Sequence, residues 1–373
     1  MVRMNILFLT DELLPGGVSK YVVDLANALV SEGNTVAVAS TDGPYRKRLS
    51  QNVRFIPIQL LQPNSYNKNI LGIPLSLTAL KRHLRQEHYD IIHTQKRYSD
   101  LIGKLIARKF NIPHVSTCHN TFHNHKYLSV FGDYIIAVSD SIRSVLIEEY
   151  KKSPERVVTI HNGIFPLKPA NDEDIRSFRS SLGIADSSVV IGSVGQFIPA
   201  KDRTSLVLGF SEVLKNINRE AHLIIVGDGP EKENILELIG QFGIQNFVHI
   251  FPPSSSIELL FSSVDFCVLS SIQEGFPYVI LEAASLKKPF VATQVGGVCE
   301  FVENGVTGLT IPSRSPELLA KGMITLINNP DLCRRLGNAA RERFQQNHTF
   351  DRMIQSTLSV YEKALHRKNS FAK

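Results

Sequence analysis

Residues 273–283, Gln-Glu-Gly-Phe-Pro-Tyr-Val-Ile-Leu-Glu-Ala, decide how this chain is read. They follow Phe266-Cys267-Val268-Leu269, an apolar run that reads as a buried strand ending at Ser270-Ser271. Pro277 suits the first position of a helix, where no amide hydrogen is needed and φ is already near −65°. Tyr278 to Leu281 continue that helix, and Lys287-Lys288-Pro289 closes it. Amides at such an N-terminus offer hydrogens to an anion, typically phosphate. Glu274 stands before the helix and Glu282 more than a turn inside it. Two carboxylates repel an anion alone, but they accept well from hydroxyls. A phosphate with sugars on both sides, a nucleotide-sugar, satisfies both features. Taken alone, the stretch also fits an ordinary buried helix with two solvated glutamates.

Outward from this point the chain alternates strand and helix. Upstream, strands are expected over 5–10, 35–40, 53–57, 90–94, 114–118, 134–138 and 157–160. Helices are expected over 19–31, 70–86, 98–110 and 141–150. Pro166, Pro169 and the acidic run Asn171–Asp174 interrupt the pattern and mark a domain boundary. That run reads as the first turn of a helix rather than a metal-binding triad. The alternation resumes over 189–195, 203–216, 222–227, 231–242, 247–250, 255–261, 265–269, 290–293 and 309–311. Helices over 316–328, 331–345 and 350–366 follow. The pattern predicts α/β architecture with two Rossmann-like halves on parallel sheets, and ligands at the carboxyl ends of strands.

Composition narrows the classes. A chain of 373 residues is too long for one ordinary core and predicts two domains. The four cysteines are widely spaced, which indicates neither a disulfide framework nor a zinc site and fits a reducing, cytoplasmic compartment. The apolar run at 6–9 is too short for a signal peptide, and no stretch approaches the ~20 apolar residues of a membrane span. Residues 1–166 hold 20 Lys and Arg against 13 Asp and Glu, so the whole net charge of +6 comes from this half. Such a basic half suits an anionic membrane surface or an anionic acceptor, or is a set of solvated helix faces. No nucleic-acid module accompanies it.

Other motifs carry less. Gly227-Asp228-Gly229 resembles a dinucleotide fingerprint, but Lys232 stands where the third glycine belongs. Gly195-Gln196 to Lys201 places a cation at a strand end, where a diphosphate would sit, or simply a solvated lysine. His119, His123 and His125 invite a metal reading, yet no carboxylate lies among them, so a polar loop is preferred with no metal. His119, at a strand end, is the member placed to reach substrate.

Together these motifs resemble the retaining GT-B glycosyltransferases of the glycosyl transferases group 1 family, nearly end to end. The resemblance rests on Gly16-Gly17-Val18, Ser116–His119, Ala137-Val138-Ser139, His161–Ile164, Gly195 to Lys201, Val226–Pro230, Glu274 to Glu282, Val295–Gly297 and Leu336-Gly337. It implies two facing domains, 1–165 on the acceptor side and 166–349 for the nucleotide-sugar, with a cleft between them. The last helix, within 350–373, would pack back on the first domain. It also implies that Glu282 holds the ribose and Glu274 touches the donor sugar. The amides around Phe276, Pro277, Tyr278 and Val279 would face the diphosphate, and Lys201 would bind it. Gly16 and Gly17 would let backbone approach it, His119 would lie near the transferred sugar, and Gly229 would border the site. His119, Lys201 and Glu274 are the catalytic candidates, and no cofactor is implied.

The family often has arginine where this chain has Gln196, a gap that Arg203 would fill. Its Asn-Gly-Ile-Asp turn reads Asn162-Gly163-Ile164-Phe165 here. The implied activity is metal-independent, retaining hexosyl transfer from a nucleotide-sugar to a glycan or lipid-linked acceptor, in lipopolysaccharide, capsule or related polysaccharide synthesis. By family prevalence a UDP-sugar is favoured over GDP-mannose. The acceptor would be met at the cytoplasmic face of the membrane. A nucleotide-sugar epimerase of the same fold and an inactive binding subunit are the rival readings.

Overall fold

Strand β1 (Asn5–Glu12) has its six central residues buried. A strand reads as one continuous apolar run when helices cover both faces of its sheet. The computed structural model describes residues 3–58, 72–120, 129–253 and 256–371, and His123 and His125 lie outside them. The chain falls into two compact units, residues 1–162 with 351–373 and residues 163–350.

In the first unit α1 (Gly17–Ser31), β2 (Thr35–Thr41), β3 (Arg54–Pro57), α2 (Gly72–His83) and β4 (Ile91–Thr94) follow β1. Then come α3 (Arg97–Phe110), β5 (His114–Cys118), β6 (Tyr134–Ala137), α4 (Asp140–Glu148) and β7 (Val157–Thr159). All seven strands pair in parallel, in the order β3-β2-β1-β4-β5-β6-β7. The order reverses between β1 and β4, which is where open α/β sheets take their ligands. Leu7, Leu9, Ile92, Ile102 and Ile106 are fully buried against this sheet, each contributing on the order of 1.5–3 kcal/mol.

The second unit opens with α5 (Asp172–Ser181), whose acidic first turn is capped by Asn171. Next come β8 (Val189–Val194), α6 (Arg203–Lys215), β9 (Ala221–Val226), α7 (Lys232–Gln241), β10 (Val248–Phe251), α8 (Ile257–Ser263) and β11 (Phe266–Leu269). Helix α9 (Tyr278–Ser285), β12 (Phe290–Thr293), the short α10 (Val298–Phe301), β13 (Gly308–Ile311), α11 (Pro316–Asn328) and α12 (Pro330–Asn347) complete it. Its six parallel strands run β10-β9-β8-β11-β12-β13, reversing between β8 and β11.

The last helix, α13 (Phe350–Phe371), runs five residues beyond the expected end. It belongs to the first unit, where the hydroxyl of Tyr361 lies 2.6 Å from His93 Nδ1 on β4. At the start of the second unit, Ile164 pairs with Thr349, and the ring of Phe165 lies on Phe350, centroids 4.6 Å apart. That contact is what the aromatic residue does where the family turn carries an acid.

Candidate active site

Where β8 ends, Gly195 takes φ +148 and its carbonyl accepts a 2.9 Å bond from Arg203 Nη2. The chain passes through an exposed Gln196 and a buried Phe197 into a single 3-10 turn, Pro199–Lys201. Asp202 then caps α6, its carboxylate accepting from Ser205 N at 3.2 Å. This turn is stapled to the loop after β11. Ile272 N donates to Ala200 O at 2.9 Å, and Ser270 Oγ donates to Lys201 O at 2.9 Å. From β12, Thr293 Oγ1 donates to Ser271 O at 2.5 Å.

The staples bring together two residues 73 apart in sequence, Lys201 Nζ donating to Glu274 Oε1 at 2.5 Å. Ser271 Oγ donates to the same oxygen at 2.6 Å. The side chains are 21% and 8% exposed, so the pair is shielded but reachable from the lysine side. Arg203 is buried, its guanidinium on Ser193 Oγ and Gly195 O. Burial lowers its pKa to about 10, against the pull of the nearby Glu274 carboxylate, so it stays charged at neutral pH. Arg203 therefore supports the turn at Gly195, the residue before Gln196, from within the fold.

Glycines here answer to close backbone approaches. A Cβ on Gly227 would lie 2.1 Å from Gly195 O, and one on Gly229 would lie 2.5 Å from Phe197 O. The Gly-Asp-Gly turn thus seats the two strand-end loops against each other, which accounts for it without a dinucleotide. Gly296 has φ +48, and a Cβ there would lie 1.9 Å from Glu274 O, while Gly297 N donates to Gly275 O at 2.9 Å. Gly296→Ala is expected to destabilise the protein by at least about 2 kcal/mol, through the left-handed backbone and the clash. Urea unfolding checks this, and an unchanged midpoint would mean the loop is not held as described.

Helix α9 starts one residue later than its sequence suggests. Pro277 is the N-cap, with φ −75 and ψ 130, and the helix proper begins at Tyr278. The ring still presets φ, but the extended ψ belongs to the flanking residue rather than to the first turn. Ile280, Leu281, Ala283 and Ala284 face the core, leaving Tyr278, Val279 and Glu282 on the partly exposed side. Phe276 is buried on His348, ring centroids 5.2 Å apart, so its side chain anchors the loop.

In the first unit Gly16 and Gly17 are exposed at the start of α1, where Gly16 is the N-cap. His119 follows β5, its Nε2 2.9 Å from Gln95 Oε1, with the Tyr21 ring edge-on at 4.9 Å. Burial, helped by the Lys96 cation, lowers its pKa to about 3, so the ring is neutral at ordinary pH. Beside it Lys96 Nζ pairs with Glu12 Oε1 at 3.0 Å. Glu12 and Gln95 escaped the sequence reading, and Lys96 entered it only as one of the basic residues of the first half. Their one signal is that a polar residue closes the apolar strand β1 and two follow the apolar strand β4.

Residues 174–343 match the model for glycosyl transferases group 1, and residues 15–166 match that for glycosyltransferase family 4. D-inositol 3-phosphate glycosyltransferase of Kineococcus radiotolerans is 24% identical, over 94% of this chain and 91% of its own. N-acetyl-alpha-D-glucosaminyl L-malate synthase of Bacillus anthracis is 24% identical, over 93% of each. The solved structure of Anabaena Alr3699/HepE in complex with UDP-glucose shares the fold, with a TM-score of 0.85 at 22% identity, covering 97% of this chain and 100% of that one. With one model matching each of the two parallel-sheet units, the chain belongs to the group 1 and family 4 glycosyltransferases and has their two-domain GT-B fold.

Proposed function

We propose that the protein transfers a hexose, with retention, from a UDP-sugar to a glycan or glycolipid acceptor in lipopolysaccharide, capsule or related polysaccharide synthesis. The observation that carries the reading is Lys201 held on Glu274 beside the start of α9, at the switch point of the second sheet. In this reading Lys201 and the first-turn amides of α9 take up the charge of the leaving diphosphate, without a metal. Glu274 accepts from donor-sugar hydroxyls and orients Lys201. Glu282, on the partly exposed side of α9, accepts from the ribose hydroxyls. Gly16 and Gly17 admit backbone to the diphosphate, and His119 meets the transferred sugar. The solved neighbour bound to UDP-glucose supports the choice of nucleotide.

Incubation with UDP-glucose, UDP-galactose, UDP-GlcNAc and GDP-mannose tests this reading. Transfer or slow hydrolysis of a UDP-sugar is expected. An epimerised donor would point to an epimerase, and binding without turnover to an inactive subunit. Glu282→Ala is expected to weaken UDP-sugar binding by about 10–100-fold, the loss of one or two charge-assisted hydrogen bonds. Calorimetry reads this directly, and unchanged affinity sinks the ribose assignment.

For the acceptor, the outer faces of α2 and α3 expose Leu75, Tyr98 and Leu105 among Arg82, Arg108 and Lys109. No described helix is long and apolar enough to cross a membrane. Peripheral docking of this face on anionic lipid is the mode we propose, and salt-sensitive co-sedimentation with anionic but not neutral vesicles is expected. A second reading is a small anionic acceptor, favoured by the inositol phosphate and malate in the names of the two relatives. Absence of vesicle binding moves the assignment there.

A further inference from the structure

Gln95 has no role in the reading above, yet its position is unusual. It follows β4 at the point where the first sheet reverses its strand order, and it is 3% exposed. Its Oε1 lies 2.9 Å from His119 Nε2. Its Nε2 is buried with no hydrogen-bond partner among the described residues. A buried amide hydrogen without an acceptor costs about 1–3 kcal/mol, and leucine at this position would avoid that penalty. The bond to His119 is the one polar contact described for this side chain.

That bond has a chemical consequence. A neutral imidazole carries one N–H, and the hydrogen bond made by one nitrogen decides the state of the other. If the amide oxygen accepts, His119 carries its proton on Nε2, and Nδ1 keeps a lone pair. Lys96 stands next in the chain, held on Glu12 at 3.0 Å, and its charge disfavours a second proton on the ring. Among the described residues, Tyr21 from α1 packs edge-on at 4.9 Å, and the buried His93 on β4 also interacts electrostatically with the ring.

We propose that Gln95 is a positioning residue that locks His119 in the Nε2–H tautomer, so that Nδ1 accepts a hydrogen bond from a hydroxyl of the transferred sugar. The proposal rests on reading His119 as the residue that meets that sugar. Gln95 acts through His119, and no proton transfer to or from the sugar is involved.

Nitrogen-15 NMR of the imidazoles in the full-length protein, with His119→Gln supplying the assignment, tests the lock directly. The wild type is expected to show Nε2–H His119 from about pH 5.5 to 8. In Gln95→Leu the ring is expected to populate both tautomers, with kcat on UDP-glucose down roughly 10–100-fold and the Kd for UDP unchanged. In Gln95→Glu the new carboxylate favours a charged ring. An imidazolium is then expected to appear at the acid end of this range, with activity falling as it forms and returning as pH rises. An Nδ1–H ring in the wild type, or an unchanged tautomer in Gln95→Leu, overturns the proposal, as does a lost lock with full turnover. The tautomer is read without any donor, so a failed donor assignment shows up separately, as His119 signals that UDP-glucose leaves unmoved.

Discussion

Lys201→Met is expected to lower kcat for transfer from a UDP-sugar by about 10²–10³-fold, the usual loss when one donor aimed at developing negative charge is removed. The same change leaves Glu274, 8% exposed, with Ser271 Oγ and without its cation. A shielded carboxylate stripped of its partner is costly, and a loss of stability on the order of 1–3 kcal/mol accompanies the catalytic defect. The two effects are separable. Glu274→Gln added to Lys201→Met removes the uncompensated charge while the amide still accepts from Ser271. The double variant is expected to regain most of the unfolding free energy and none of the rate. Recovery of turnover along with stability would show that Lys201 serves the fold alone. A defect in KM with kcat unchanged would mean that it binds ground state and transition state equally, and the charge argument for the leaving group would fall.

Much of the second unit could be read from local patterns. The run 266–269 and the segment around Pro277 are short-range signals, and the cation at 201 sits at a fixed offset from a strand end. The resemblance sets Lys201 and Glu274 on different parts of one ligand and says nothing of their meeting; the physical cause of that contact is the staple between residues 199–201 and 270–272, which rests on β8 and β11 being neighbours. The pairing of strands remote in sequence leaves no local trace, so the contact itself was illegible. Arg203 illustrates the same limit. Its place in the first turn of α6 gives no hint that Gly195 lacks a side chain and leaves a guanidinium room beneath the strand end. The glycines at 227 and 229 were read as weak evidence of a nucleotide motif, when backbone packing against residues 195 and 197 is sufficient cause. Gln95 and the pairing of Glu12 with Lys96 fell below notice because single polar residues at and after strand ends are common. Only the parallel register that sets β4 between β1 and β5 brings them together.

A second large effect is expected at Asp100, in the first turn of α3, which no sequence motif marks. The residue is 5% exposed, its carboxyl hydrogen-bonded to Thr94 Oγ1, which itself lies 2.8 Å from His114 Nε2 and 3.1 Å from Ser116 Oγ. Burial raises its pKa from 3.8 to about 7, with the nearby Asp11 adding in the same direction and the Thr94 and Ser116 hydroxyls opposing. The folded state thus prefers the protonated acid, while the unfolded chain releases the proton near pH 4. The stabilising contribution is complete below the unfolded pKa and disappears as pH rises through about 7. About three pH units at ~1.4 kcal/mol each give on the order of 4 kcal/mol as an upper bound. Asp100→Asn keeps the shape and a neutral side chain at every pH, so it lacks this slope. The buried histidines His93 and His114 have lowered pKa values and impose the opposite trend below pH 6.5, but they do so in both proteins and cancel in the difference. Urea unfolding of wild type and variant at pH 5 and pH 8 is therefore the measurement. The stability of Asp100→Asn relative to wild type is expected to rise by roughly 2–3 kcal/mol between the two. A difference that stays constant with pH would show that Asp100 is ionised in the folded protein, and that the Thr94 and Ser116 hydroxyls outweigh its burial.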